Sequence, residues 1–108
     1  MALVKRFDVF LLNLDETPSD DAKNTRPCVV VSPDEMNDFI DSVIVAPVSA
    51  VNHRYPTRVL FDFLGAERAV VLDQLQTVEK RRLTKKIGEL EPETRKRILD
   101  TLQELFAE

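Results

Sequence analysis

A chain of 108 residues with 19 acids against 15 lysines and arginines has room for one hydrophobic core and not two, and its formal net charge of -4 argues against nonspecific coating of nucleic acid. One cysteine, Cys28, and one histidine, His53, exclude an internal disulfide and a zinc site, and no carboxylates cluster at metal-binding spacing, so no cofactor is implied. No stretch of ~18 apolar residues is present to span a membrane, and the opening Met1-Ala2-Leu3-Val4-Lys5-Arg6 lacks an apolar signal core, which points to a cytoplasmic protein.

Residues 6 to 14 alternate Phe7, Val9 and Leu11 with Phe10, Leu12 and Leu14, which predicts a first strand that is apolar on both faces and therefore central or covered. Residues 15 to 25 are acidic and aperiodic around Pro18 and read as a solvated loop. A second strand is predicted from Pro27 to Ser32, followed by Pro33-Asp34-Glu35-Met36-Asn37, in which a Ser cap, a proline at the first helical position and an acid behind it signal one short helical turn. The third strand runs from Ser42 to Val48 and a polar loop from Val51 to Tyr55. A fourth strand is expected from Thr57 to Phe63, a turn at Leu64-Gly65-Ala66 and a fifth strand from Arg68 to Leu72. After Gly88 the period changes: Pro92 opens a helix whose Ile98, Leu99, Leu102, Leu105 and Phe106 should pack one face on the sheet. Five short strands in succession predict a mainly β fold, a small antiparallel barrel with a C-terminal helix, in a single domain spanning 1–108.

Charge is polarised along this plan. Residues 80 to 97 hold Lys80, Arg81, Arg82, Lys85, Lys86, Arg95, Lys96 and Arg97, while 13 of the 19 acids lie in residues 1 to 79. A basic surface on an acidic chain attracts a polyanion locally, and serves equally as a dock for an acidic partner. Arg26-Pro27 heads the second apolar run and Ala46-Pro47-Val48-Ser49 closes the third. An arginine carries a permanent charge on a planar fork that matches phosphate oxygens in pairs, and Ser49 adds a hydroxyl. Taken singly, Arg26 is a surface cation paired with Asp20 or Asp21, Ser49 is turn material, Asp73-Gln74 caps a turn, and the basic run is a solvated face. His53 has no second histidine with which to form an acid/base pair, and Cys28, inside an apolar strand, is an inert core thiol. With only Gly65 and Gly88, no phosphate-binding glycine loop exists. The residues alone support a β-barrel with a candidate anion site.

Several separated segments agree in order and spacing with one family. They are Asn13-Leu14-Asp15, Lys23-Asn24-Thr25-Arg26-Pro27 with its valine run, Ser32-Pro33 with Asn37, Ala46-Pro47-Val48-Ser49, Tyr55-Pro56-Thr57-Arg58-Val59, and Asp73-Gln74-Leu75-Gln76-Thr77 through Arg82-Leu83. From residue 7 to the terminal helix the chain resembles the MazF/PemK toxins. The resemblance implies a homodimer of Src-homology-three-like barrels, acting as a sequence-specific endoribonuclease that cleaves single-stranded mRNA without metal and is held inactive by a MazE-like antitoxin. It places Arg26 at the family's catalytic arginine and Ser49 at the Thr or Ser closing the third strand, and it implies substrate contacts at Asp21, Asp73, Gln74 and Thr77. Asp73 matches an acid used as a base in the PemK branch, whose companion arginine two residues earlier is Val71 here. Ser19-Asp20-Asp21 replaces the Gly-Ser-Glu or Gly-His-Glu of many members, and Phe7-Asp8 replaces their Gly-Asp. Two other classes share the fold: a CcdB-like toxin that binds DNA gyrase without cleaving a bond, disfavoured by the ending Leu105-Phe106-Ala107-Glu108, and a catalytically silent binding barrel.

Overall fold

The computed structural model describes residues 3–15, 24–51 and 54–108. Along the chain come β1 (Asp8–Asn13), β2 (Thr25–Val30), α1 (Asp34–Phe39), β3 (Ser42–Ala50), β4 (Arg58–Phe63), β5 (Ala66–Val71), β6 (Gln76–Glu79), β7 (Leu83–Glu89) and α2 (Pro92–Phe106). The strands are antiparallel and follow the order β4-β5-β3-β2-β1-β7, with β6 also on β3. β6 pairs with the first half of β3, Ser42 to Val45, and β5 with its last three residues, Val48 to Ala50. Pro47, which has no N–H to offer, sits where β3 changes partner. The 3-10 turn Lys80–Arg82 links β6 at one side of the sheet to β7 at the other, curling the sheet into a half-barrel.

Both faces of the central strands are covered, as the two-faced apolar pattern of residues 6 to 14 predicts. Inside the curl, Phe10 and Leu12 of β1 meet Cys28 and Val30 of β2, Val43 and Val45 of β3, and Val78 of β6. On the other face, Val9, Val29, Ala46 and Val48 pack with Val59, Phe61 and Val70 of the β4–β5 hairpin and with Ile98 of α2. Ile98 is fully buried, so truncating it to alanine would cost about 2–5 kcal/mol. Burial pushes the Cys28 thiol up to about 12, in keeping with an inert core residue.

Three expectations are corrected. There are seven strands, not five: β6 has one buried apolar residue, Val78, and in β7 bulges at two points of the β1 ladder interrupt the alternation. α1 is flanked by Pro33 in an extended conformation with no side-chain cap, because the Ser32 hydroxyl is engaged elsewhere: it bonds Asn37 Oδ1 and accepts from the Ile44 N–H at 3.1 Å. On α2, Ile98 and Leu102 pack on the sheet, whereas Leu99, Leu105 and Phe106 are exposed.

Candidate active site

The β2–β3 ladder runs Val30 to Val45, Val29 to Ala46 and Cys28 to Pro47, and it stops there. The Val31 N–H bonds the Ile44 carbonyl at 2.9 Å. Bonds of this kind recur every second residue in an antiparallel pair, so the next but one would be donated by residue 27 to residue 48. Pro27 has no N–H. Beyond that point β2 pairs only with β1 and β3 only with β5, and the two strands part. Carrying the register on by two residues puts Arg26 opposite Ser49, one on each strand where the two part.

A groove of about 560 Å³ opens where the strands part. Leu11, Pro27, Val48, Phe63, Leu64 and Ile87 give it an apolar lining, and Arg26, Ser49 and Arg68 are the polar residues at its wall. The Phe63 ring fits because β7 carries Gly88 beneath it: a Cβ there would lie 2.9 Å from Phe63 Cε1. Arg26 is exposed and spends one donor, Nη1, on the neighbouring Thr25 carbonyl at 3.0 Å; no described carboxylate pairs with it. Ser49 lies within β3, not in a turn, and donates to the Ala50 carbonyl at 3.1 Å. A guanidinium with unused donors beside a hydroxyl can hold the nonbridging oxygens of a phosphate.

Asp73 lies apart, in the 3-10 turn Leu72–Gln74 after β5. It accepts from Thr57 Oγ1 at 3.0 Å and from Arg58 Nε at 3.3 Å. Arg58 holds the carboxyl below its ordinary value, and its guanidinium also stands 4.8 Å from the centre of the Tyr55 ring. Arg58 pairs across the strands with Val71. The cation that Val71 fails to supply beside Asp73 thus comes from the adjoining strand. Gln74 is exposed at the end of the same turn, and Thr77 is exposed on β6 opposite Ile44. None of the three lines the groove. Asp21, Asp20 and His53 lie outside the described residues.

Residues 5–106 match the PemK-like, MazF-like toxins of type II toxin-antitoxin systems. This chain belongs to that family. The toxin is 34% identical over 107 residues to the endoribonuclease EndoA of Bacillus subtilis strain 168, across 94% of this chain and 92% of EndoA. Its fold is that of a MazE-MazF crystal structure from Deinococcus radiodurans, with a TM-score of 0.81 at 20% identity over 99% of this chain and 98% of that one. It also matches the Mycobacterium tuberculosis toxin MazF-mt6, with a TM-score of 0.76 at 20% identity over 92% and 95% of the two chains.

The toxin's fold accounts for one departure from the family pattern, gives Arg82 a structural role, and brings a further residue, Arg68, to the groove. Phe7, standing where many members have glycine, has φ 73°, a conformation that glycine adopts without strain. Its N–H bonds the Val30 carbonyl at 2.7 Å, its carbonyl accepts from Leu90 at 3.1 Å, and its ring lies between the guanidinium groups of Arg6 and Arg95 at 5.5 and 5.7 Å, so packing holds it there. Arg82 donates from Nε to the Asn13 carbonyl at 3.0 Å, tying the end of β1 in place instead of facing the groove. Arg68, in the groove, reads in the sequence as one more charged residue entering a strand; only the β3–β5 register brings it to the site.

Proposed function

We propose that this endoribonuclease toxin cuts single-stranded RNA at the scissile phosphate held between Arg26 and Ser49, using the RNA's own 2'-hydroxyl as nucleophile. The observation that carries the reading is that Arg26 and Ser49 stand on either side of the parted end of the β2–β3 ladder and both line one groove. The 2'-oxygen attacks phosphorus, the bond to the 5'-oxygen breaks, and the products are a 2',3'-cyclic phosphate and a 5'-hydroxyl. The proton lost by the 2'-hydroxyl and the proton gained by the 5'-oxygen exchange through water. Arg26 binds the nonbridging oxygens and stabilises the charge that grows on them, and Ser49 donates a hydrogen bond to the same group. With the nucleophile inside the substrate, no metal-bound water is required.

Gln74 and Thr77, exposed and outside the groove, contact RNA flanking the cut. Asp73, tied to Arg58 and Thr57, supports Gln74, and Asp21 adds a further contact to the substrate. Two copies of the chain extend the groove across a homodimer. A MazE-like antitoxin, of the kind seen with MazF in the Deinococcus radiodurans complex, inhibits by lying over Arg26. Kinship with EndoA favours RNA cleavage over the gyrase-binding alternative.

Mapping the ends produced from a mixed RNA tests the reading. Cleavage is expected to survive excess EDTA, to leave cyclic phosphate ends and to require ribose at the cut. Arg26→Ala should lose roughly 10²-fold or more in kcat/KM, and Ser49→Ala less. A folded Arg26→Ala protein that cuts at the wild-type rate, or equal cutting at a deoxyribose, overturns it.

A further inference from the structure

The groove contains a second arginine that the reaction just described does not use. Arg68 stands on β5, opposite Ala50 of β3 and Phe61 of β4, so its backbone is held by a strand on each side. The hairpin it belongs to is closed by a tight turn with φ 51° at Leu64 and 80° at Gly65. Arg68 is exposed, lines the groove together with Arg26 and Ser49, and makes no ion pair with a described carboxylate. Its neighbours in this part of the chain differ: Arg54 is paired with Glu67 and Arg58 with Asp73, each at 3.3 Å. Neither Arg68 nor Arg26, which line the groove together, is paired with a described carboxylate.

We propose that Arg68 binds a backbone phosphate of the RNA adjacent to the scissile one, and so positions the strand for Arg26. This rests on the RNA-cleaving reading above. Two like charges lining one groove repel each other, and a strand with a phosphate at each relieves that repulsion while its sugars cover the apolar lining between them. The planar fork of arginine binds each phosphate with direction, which a point charge does not. An acidic peptide could neutralise the same charges, but kinship with an endoribonuclease favours RNA as the polyanion in the groove. Arg68 is a positioning residue: it touches the strand, not the reacting atoms.

The test uses binding of an uncut RNA oligomer, with deoxyribose at the cleavage position, followed by fluorescence anisotropy over a range of salt. Arg68→Gln should weaken binding about tenfold at low salt, as for loss of a charged hydrogen bond. It should also make the slope of log affinity against log salt shallower by about 0.7, the share of one phosphate in a single strand. Arg68→Lys should restore the salt slope but only part of the affinity. In cleavage assays KM should rise while kcat stays within about threefold, since the uniform-binding term alone is lost. Replacing phosphates one at a time by neutral methylphosphonate should reveal one flanking position whose neutralisation weakens binding to the wild type and leaves binding to Arg68→Gln unchanged. Unchanged affinity and salt slope in Arg68→Gln, a loss confined to kcat, or equal losses in both proteins at every methylphosphonate position overturns the proposal. So does wild-type RNA binding by Arg68→Gln combined with lost competition from a glutamate-rich peptide, which would assign the residue to an acidic protein partner. Because the readout is binding, a wild-type protein that held RNA without cutting it would end the cleavage reading and still decide the role of Arg68.

Discussion

At one end of the β2–β3 pair, Ser32 and Asn37 are 1% and 2% exposed, and their hydrogen bonds close on the protein: Asn37 Nδ2 donates to the Ser32 carbonyl at 2.9 Å, and the Ser32 hydroxyl is shared between Asn37 and the Ile44 N–H. At the other end Pro27 withholds a donor, the ladder stops, and Arg26 and Arg68 face a groove with most of their donors unspent on the described residues. Both ends are polar, and both carry residues of the family pattern. Where polar groups are satisfied internally they fix architecture, and where they are held in place but left open they are free for substrate.

Exchanging the effects of the two ends would overturn that distinction. Asn37→Ala takes the acceptor from the buried Ser32 hydroxyl proton and the side-chain donor from the Ser32 carbonyl, and opens a small void, so it should destabilise the fold by about 3 kcal/mol, read as a lower urea midpoint, while the surviving folded protein keeps its activity. Arg26→Ala, which should stop cleavage, is expected to move that midpoint by no more than about 0.5 kcal/mol, as for other exposed substitutions. A smaller effect belongs to the turn that carries Arg68. Leu64 is 80% exposed with φ 51°, where a branched side chain is strained and asparagine before glycine is favoured. Leu64→Asn should therefore raise stability by about 1 kcal/mol, seen as a higher urea midpoint.

The smallest effect is the acid dependence at Asp73, whose carboxyl Arg58 holds below its ordinary value of 3.8. A depressed folded pKa stabilises the fold above the unfolded value and loses that contribution as pH falls through the folded one. Urea midpoints of Asp73→Asn should thus run parallel to wild type from pH 5 to 8 and fall less steeply below about pH 4. Added salt should shrink the difference, because the pair is partly exposed.

The strands that could be read from the sequence are those whose burial follows their own alternation: β1, β2 and β3 carry runs of valine, leucine and phenylalanine, and α2 opens on Pro92 as its spacing predicts. β6 and β7 are held by their partners instead. Gln76 to Glu79 is a strand because Ser42 to Val45 offers it an edge, and Lys85 and Lys86 sit in β7 because β1 binds their backbone, so a local reading sees only a basic surface. Arg26 and Ser49 are candidates on proline-anchored motifs, and the β2–β3 register, carried past its last pair, sets them across from each other. Arg58 as the partner of Asp73 and Arg68 as a groove residue each depend on pairing with β5, which no local pattern encodes. Leu99, Leu105 and Phe106 share the helical spacing yet stay exposed, because that spacing reports a stripe, not how much of it the sheet can cover.

Phe7 joins parts of the chain that are far apart in sequence. Its strained backbone is bonded to Val30 and Leu90, and its ring packs under Arg95 in the cluster that includes Ile98. The start of β1 is therefore locked only when residues from the terminal helix arrive, and β1 pairs along its length with the β2 segment that carries Arg26. Contacts of such long sequence separation require loop closure before they return any stabilisation, which puts assembly among the slower, all-or-none folding reactions. A partly folded toxin with α2 undocked lacks the restraint on Phe7, so the groove lined by Arg26 and the last helix are gained in a single cooperative step.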